Sequence, residues 1–144
     1  MNDPIAKVLE RKGGGVETVS PQTTVRAAVQ RMNERKIGAV LVTESNRPVG
    51  IFTERDVLVR VVAAGLDPDT TPVHEVMTRD PVAVRSEVTV NEAMRVSTGQ
   101  RCRHLPVIDD GDLRGLISIG DLTSWVVHHQ QRTIDDLHDY MSRA

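Results

Sequence analysis

The segment GIFTERD at residues 50–56 returns sixty-five residues later as GLISIGD at residues 115–121. The same shift superposes Val19 on Val84, Thr24-Val25 on Thr89-Val90 and Ala28 on Ala93. Between these blocks, apolar similarity favours a slip of one residue that sets Leu41-Val42 on Val107-Ile108. That slip implies an extra residue before the second middle strand and a shorter turn after it. Upstream, PIAKVL at 4–9 matches PVHEVM at 72–77 at a shift three residues longer. The added residues fall in the Gly13-Gly14-Gly15 run, which reads as a flexible joint. Matches spread this widely mean a duplication, and each copy alone has too little core to be stable, so the two must pack together.

Each copy has the same order of elements. A short helix (about 4–11, then 73–77) precedes a short strand ending at Val19 or Val84. Val25, Ala28, Val29 and Met32 then share one face at helical spacing, with Thr24 as the cap, and Thr89 caps the equivalent helix. AVLVT and LPVID read as buried strands. The turns ESNRP and DDGDLR lead to return strands VGIFT and RGLIS, which makes a hairpin in each copy. A last helix, ERDVLVRVVAAG, stops at Gly65 in the first copy. The expectation is a mixed α/β (α+β) fold of tandem βαββα repeats. Its divisions are an N-terminal helix and joint at 1–15, a first repeat at 16–71, a second with its lead-in helix at 72–130, and a helical tail at 131–144. In the longer helical region 119–144 that includes this tail, Trp125, Val126, Ile134, Leu137, Tyr140 and Met141 form an interrupted apolar stripe, which packs back on the chain or meets a second copy.

Composition excludes several functions. Phe52, Trp125 and Tyr140 are the only aromatic residues, so a base-stacking nucleic-acid surface has nothing to stack on. A net charge of −2 gives no general attraction to nucleic acid or anionic lipid. The single Cys102 precludes an internal disulfide and reads as a small buried residue. No run approaches membrane-spanning length and the N-terminus lacks a signal-peptide pattern, so the expected location is cytoplasmic. No P-loop, nucleophile elbow or Cys/His metal spacing is present, and His128-His129 point apart on a helix. Neither catalysis nor a metal site is therefore expected.

Thr53 with Asp56, and Ser118 with Asp121, fit the first and fourth positions of a capping box, which by itself is sufficient reason for their presence. They also suit a ligand. A strand feeding a helix N-terminus favours anions, a hydroxyl can donate to phosphate, and an aspartate can accept from both hydroxyls of a ribose. Gly50 and Gly115, three residues before each hydroxyl, let something approach the strand backbone.

The two βαββα copies, the lead-ins PIAKVL and PVHEVM, the stretches IGAVLV and RHLPVI, and the pair GIFTERD and GLISIGD together resemble a tandem pair of cystathionine-β-synthase-type (CBS) domains over about residues 4–130. The resemblance implies two copies about an approximate two-fold axis, with clefts for an adenosine-containing ligand: AMP first, then ADP, ATP, NAD or S-adenosylmethionine. It also implies a homodimer and leaves room for an unidentified protein target. Carried over by position, Asp56 and Asp121 would hold ribose diols, and Thr53 and Ser118 ribose or phosphate oxygens. Thr18-Val19, Ala83-Val84, Gly38-Ala39 and Leu105-Pro106 would flank adenine. At AVLV, Val40 stands where the family often has proline.

The segment RCRH ahead of the second middle strand is a solvated basic edge or a phosphate contact. By the resemblance, Arg103 and His104 face a ligand's phosphates, in a cleft completed by Thr53 and Asp56. Arg55 precedes Asp56 where Gly120 precedes Asp121, so the clefts are unequal, and Thr53–Asp56 is the grip expected to take a charged nucleotide. The expected function is a non-catalytic regulatory module that binds an adenosine nucleotide. The alternative is a constitutive dimerisation scaffold whose caps are only caps.

Overall fold

The structure is a computed structural model that describes residues 2–13 and 15–143. The element order is α1 (Ile5–Lys12), β1 (Thr18–Val19), α2 (Val25–Arg35), β2 (Ala39–Glu44), β3 (Arg47–Thr53) and α3 (Glu54–Asp56). Then come a π-wound segment (Val57–Val62), a 3-10 turn (Val73–Glu75), β4 (Thr78–Arg79), α4 (Val90–Gln100), β5 (His104–Asp109), β6 (Asp112–Ser118) and α5 (Ile119–Arg143). One sheet runs β1-β2-β3-β4, and β5-β6 form the other. In the second copy the first strand is reduced to a single parallel bridge, Val84 to Val107. The fold is mixed α/β, as the repeat pattern leads one to expect.

Thr24 accepts from the Ala27 N–H at 3.2 Å and Thr89 from the Glu92 N–H at 3.1 Å, so both expected caps are made. Each stabilises its helix by about 1 kcal/mol. The hairpins correct the sequence alignment. Val42 pairs with Gly50 and Val107 with Gly115, while Ala39 pairs with Thr53 and His104 with Ser118. Both turns have two residues at positive φ, Ser45-Asn46 and Asp110-Gly111. The shift of sixty-five therefore holds throughout, without an inserted residue or a shortened turn. Residues of similar hydrophobicity slide past one another in an alignment, whereas backbone pairing and turn geometry fix the register. Pro106 is accordingly the counterpart of Leu41 in the repeat, and not of Val40.

The copies exchange their lead-ins. The N–H groups of Ile5 and Ala6 donate to the carbonyls of Val88 and Ser86 in the second copy, at 2.8 and 3.0 Å. Those of Val73 and His74 donate to Thr23 and Pro21 in the first, at 2.8 and 3.2 Å. The cores follow the exchange. Ile5 and Val8 are buried with Val90, Leu105, Val107, Ile117 and Leu122, while Val73, Val76 and Met77 are buried with Val25, Val40, Val42 and Phe52. A third cluster joins the halves, with Ala39, Leu41 and Ile51 against Val16, Leu113 and Leu116.

The exchange is reciprocal but not symmetric. The first lead-in is a full helix that ends on Lys12, whereas the second makes one 3-10 turn and then pairs with β3 as β4. Gly13 has φ 62°, and Gly14 lies outside the described residues. The helix expected over 54–64 winds as π from Val57 and ends before Gly65, at φ 71°. Cys102 is half-buried at the edge of the second core, where the sequence suggests full burial. In the tail stripe, Trp125 and Val126 pack on the second core, while Ile134, Leu137, Tyr140 and Met141 are exposed. No helix among the described residues is long and apolar enough to cross a membrane.

Candidate functional site

Both Gly…hydroxyl…Asp elements cap helices. The Thr53 N–H donates to Asp56 Oδ2 at 2.9 Å, and Thr53 Oγ1 accepts from the Asp56 N–H at 3.3 Å. The Ser118 N–H donates to Asp121 Oδ2 at 2.9 Å, and Ser118 Oγ accepts from the Asp121 N–H at 3.0 Å. Their surroundings differ. Asp56 has Arg60 Nε at 3.6 Å, and its side chain is only 10% exposed; that of Asp121 is 25% exposed.

A cleft of about 460 Å³ opens beside Asp121. Gly38 and Ala39 at the start of β2, His104 at the start of β5 and Ser118-Asp121 at the head of α5 line it, together with Leu9 and Lys12 of the exchanged α1. The basic groups Arg35, Lys36 and Arg114 lie around it with the acidic Glu17. Lys12 Nζ donates to Asp121 Oδ2 and to the Leu116 carbonyl, both at 2.8 Å. Asp121 is pulled two ways: burial pushes its pKa up, but the Lys12 ammonium and the Ser118 N–H and hydroxyl outweigh this and hold it below the usual carboxylate range. His104 is held below its ordinary value by burial first and by Lys12 and Arg103, with Asp121 and Glu54 opposing. A Cβ on Gly38 would lie 2.9 Å from Glu54 Oε1 and 3.6 Å from His104 Nε2, so the bare glycine lets these two groups approach β2.

The structure thus brings Gly38, Ala39, His104, Ser118 and Asp121 together. Thr18 and Val19 line a separate depression of about 400 Å³ with Ser20, Thr23, Ala27, Arg31 and Thr43. Leu105 and Pro106 are buried within β5, and Ala83, Arg55 and Arg103 are exposed. Val84 is buried at its bridge to Val107. His104, expected beside Thr53 and Asp56, instead lines the cleft with Ser118 and Asp121, and Thr53 and Asp56 do not line it. Sequence reasoning missed Lys12, Lys36 and Arg114. Lys12 had a signal in the repeat itself, because its counterpart at the lead-in shift is Asp80, a reversal of charge.

Each strand glycine admits a side chain of an exchanged lead-in. A Cβ on Gly115 would meet Leu9 Cδ2 at 2.6 Å, and one on Gly50 would overlap Met77 Sδ. Leu9 and Met77 are equivalent residues of the two exchanged lead-ins. Among the described residues no three His, Cys, Asp or Glu side chains gather into a potential metal cluster.

Comparison with known proteins gives a consistent family. The CBS domain family model matches residues 2–63 and 73–128. The CBS domain-containing protein CBSCBSPB5 of Arabidopsis thaliana is 35% identical over 119 residues, 82% of this chain. The match spans only 22% of that relative's length. Among solved structures, the CBS-domain containing protein ATU1752 from Agrobacterium tumefaciens has a TM-score of 0.80 and 37% identity, covering 85% of this chain and 98% of its own. The CBS domain protein PAE2072 from Pyrobaculum aerophilum, complexed with AMP, has a TM-score of 0.74 and 25% identity, covering 83% of this chain and 89% of its own.

Proposed function

The chain belongs to the CBS-domain family, and on that premise we propose that it is a non-catalytic regulatory module whose Asp121 cleft binds an adenosine-containing nucleotide. The observation that carries this reading is the cleft's chemistry. An aspartate, a hydroxyl and several basic side chains converge on one cavity at the junction of the two repeats. Both Ser118 and Lys12 bond Asp121 through Oδ2, which leaves Oδ1 as an acceptor for a ribose diol. The basic rim suits phosphate, and the partly exposed Val16, Ile37 and Leu116 offer apolar surface beside it for adenine. AMP is the first candidate, given the AMP complex of the Pyrobaculum relative. ADP, ATP, NAD and S-adenosylmethionine follow.

Occupancy would be passed on through α5, because Asp121 lies in its first turn. That helix leaves the body with Val127, Ile134, Leu137, Tyr140 and Met141 exposed, and the π-wound segment exposes Leu58, Val59 and Val62. These surfaces support a homodimer in which α5 is the interface element. They also favour a second reading, constitutive dimerisation without a physiological ligand.

Isothermal titration with AMP, ADP, ATP, NAD and S-adenosylmethionine separates the two. The nucleotide reading expects saturable heat with at least one of them, weakened about tenfold or more by Asp121→Ala through loss of a charge-assisted hydrogen bond. The absence of heat and of thermal stabilisation with all five overturns it in favour of the scaffold.

A further inference from the structure

We propose that Lys12 makes this cleft select phosphorylated over unphosphorylated adenosine ligands: it pairs with Asp121 while the cleft is empty and turns to the ligand's phosphate when it fills. The proposal rests on the nucleotide reading above and adds to it the residue that sets its specificity.

Lys12 reaches the cleft only because the lead-ins are exchanged and unequal. Helix α1 belongs in sequence to the first copy, packs on the second, and continues helical to Lys12. The second lead-in leaves helix after one turn, and its equivalent position, Asp80, lies just beyond β4. The first copy's Asp56 is instead approached by Arg60 from its own helix, and Arg60 Nη1 is bonded to the Met77 carbonyl at 2.7 Å.

Among the described residues Lys12 is the cation of the cleft that is bonded to Asp121, and the others stand apart from it. Arg35 lies 3.6 Å from Glu17, and Arg114 lies 3.5 Å from Asp109. Lys36 has no acidic partner within salt-bridge range among the described residues, and it sits at the rim. Lys12 is paired, but the pair is half in solvent, with its side chain 41% exposed and that of Asp121 25% exposed. Such a pair is weak and exchanges readily. A phosphate is a better partner for the ammonium than a shared carboxylate, since it carries more charge and more acceptor oxygens. A nucleotide would supply that anion and free Asp121 Oδ2 from Lys12, to join Oδ1 in holding the ribose. A nucleoside would find only Oδ1 open and would offer Lys12 nothing in exchange.

The helix that carries Lys12 is also held by contacts that do not involve Lys12. Trp125 Nε1 donates to Asp3 at 3.1 Å, and the Arg11 guanidinium sits 5.7 Å from the centre of the same indole. The lysine side chain can therefore change partner while α1 stays docked, and the single tryptophan reports on that docking.

The test is titration of the full chain with adenosine and with AMP, for wild type, Lys12→Met and Lys12→Arg. Far-ultraviolet dichroism and Trp125 fluorescence establish that each variant is folded with α1 in place. Wild type is expected to bind AMP at least about tenfold tighter than adenosine, the effect of one charge-assisted contact. Lys12→Met should shrink that preference to below about threefold, by weakening AMP while leaving adenosine unchanged or tighter; Lys12→Arg should keep most of it. A Lys12→Met variant that retains the preference, or weakens both ligands equally, overturns the role of Lys12 and leaves the nucleotide reading standing. Wild type that binds neither AMP nor any other adenosine compound overturns both.

Discussion

The exchanged lead-ins make an unequal prediction for two glycines that the repeat makes equivalent. Replacing Gly115 by alanine puts a methyl group 2.6 Å from Leu9 Cδ2 and 3.2 Å from Cδ1, and every atom in the way belongs to a side-chain tip at the edge of the cleft. Leu9 can turn aside. Replacing Gly50 by alanine overlaps Met77 Sδ and also places the methyl 2.9 Å from the Thr78 carbonyl oxygen. That oxygen cannot move alone, because Thr78 is paired with Ile51 and Arg79 with Gly50 in the β3–β4 ladder. Alanine recovers roughly 0.5–1 kcal/mol of backbone entropy at either position. Forced overpacking costs about 1–3 kcal/mol, with the upper part of that range where backbone must shift. The expected net loss is therefore about 2 kcal/mol for Gly50→Ala and within about 1 kcal/mol of zero for Gly115→Ala. Urea denaturation followed by Trp125 fluorescence measures both, read as midpoint shifts at constant slope. Leu9→Ala should couple to Gly115→Ala by relieving its clash, whereas Met77→Ala should only partly relieve Gly50→Ala, since the carbonyl remains. Equal losses in the two glycine variants, or full relief of Gly50→Ala by Met77→Ala, would refute the packing argument.

Acid should weaken the fold in two stages. With its pKa lowered in the fold, His104 resists protonation there, so stability falls as pH drops below the unfolded value of about 6.5, and His104→Asn should flatten this stage in denaturation between about pH 5 and 7. Asp121 acts in a lower window: its lowered pKa contributes stability that is complete above the unfolded value of about 3.9 and is lost as pH falls through the folded value, so Asp121→Asn should remove that stage. For the assembly, Leu137→Glu with Tyr140→Glu places two charges on the exposed part of α5 and should turn a dimer into monomer by sedimentation, with little change in the melting of the body. A dimer that persists unchanged excludes that face as the contact.

Much of the architecture was legible because it depends on local chemistry that the duplication states twice. Thr24 and Thr89 announce their helices through caps, and the hairpins follow from apolar runs on either side of Asn46 and Gly111. What was not legible is long-range. A lead-in such as IAKVL has an apolar face whichever copy it covers, so nothing local tells that Ile5 and Val8 complete the far core. For the same reason the sequence does not tell what approaches Gly50 and Gly115. The glycines do admit a close approach, but the approaching groups are Met77 and Leu9. The π winding of 57–62 also leaves no mark, since VLVRVV suits any helix. At the site, Asp121, Ser118, Gly38 and His104 carried recognisable chemistry, while Lys12 looked like an ordinary surface residue at a helix end. Only the folded chain shows that this end lies at a cleft.

The exchange of lead-ins also sets an order of events for a chain made from its N-terminus. The first half gains its missing wedge almost at once, because Val73, Val76 and Met77 follow directly on the strands they cover. The second half has the opposite schedule. Ile5 and Val8 emerge well before their partners and stay without a core until Val90, Leu105, Ile117 and Leu122 have been added. Domains emerging from synthesis generally fold as units, N-terminal first, yet here α1, made before either sheet, is among the last segments to be buried. Until then α1 is a short helix, too short to persist alone in water. Lys12 and the cleft it lines would therefore come into being together, as the closing step of the molecule's assembly.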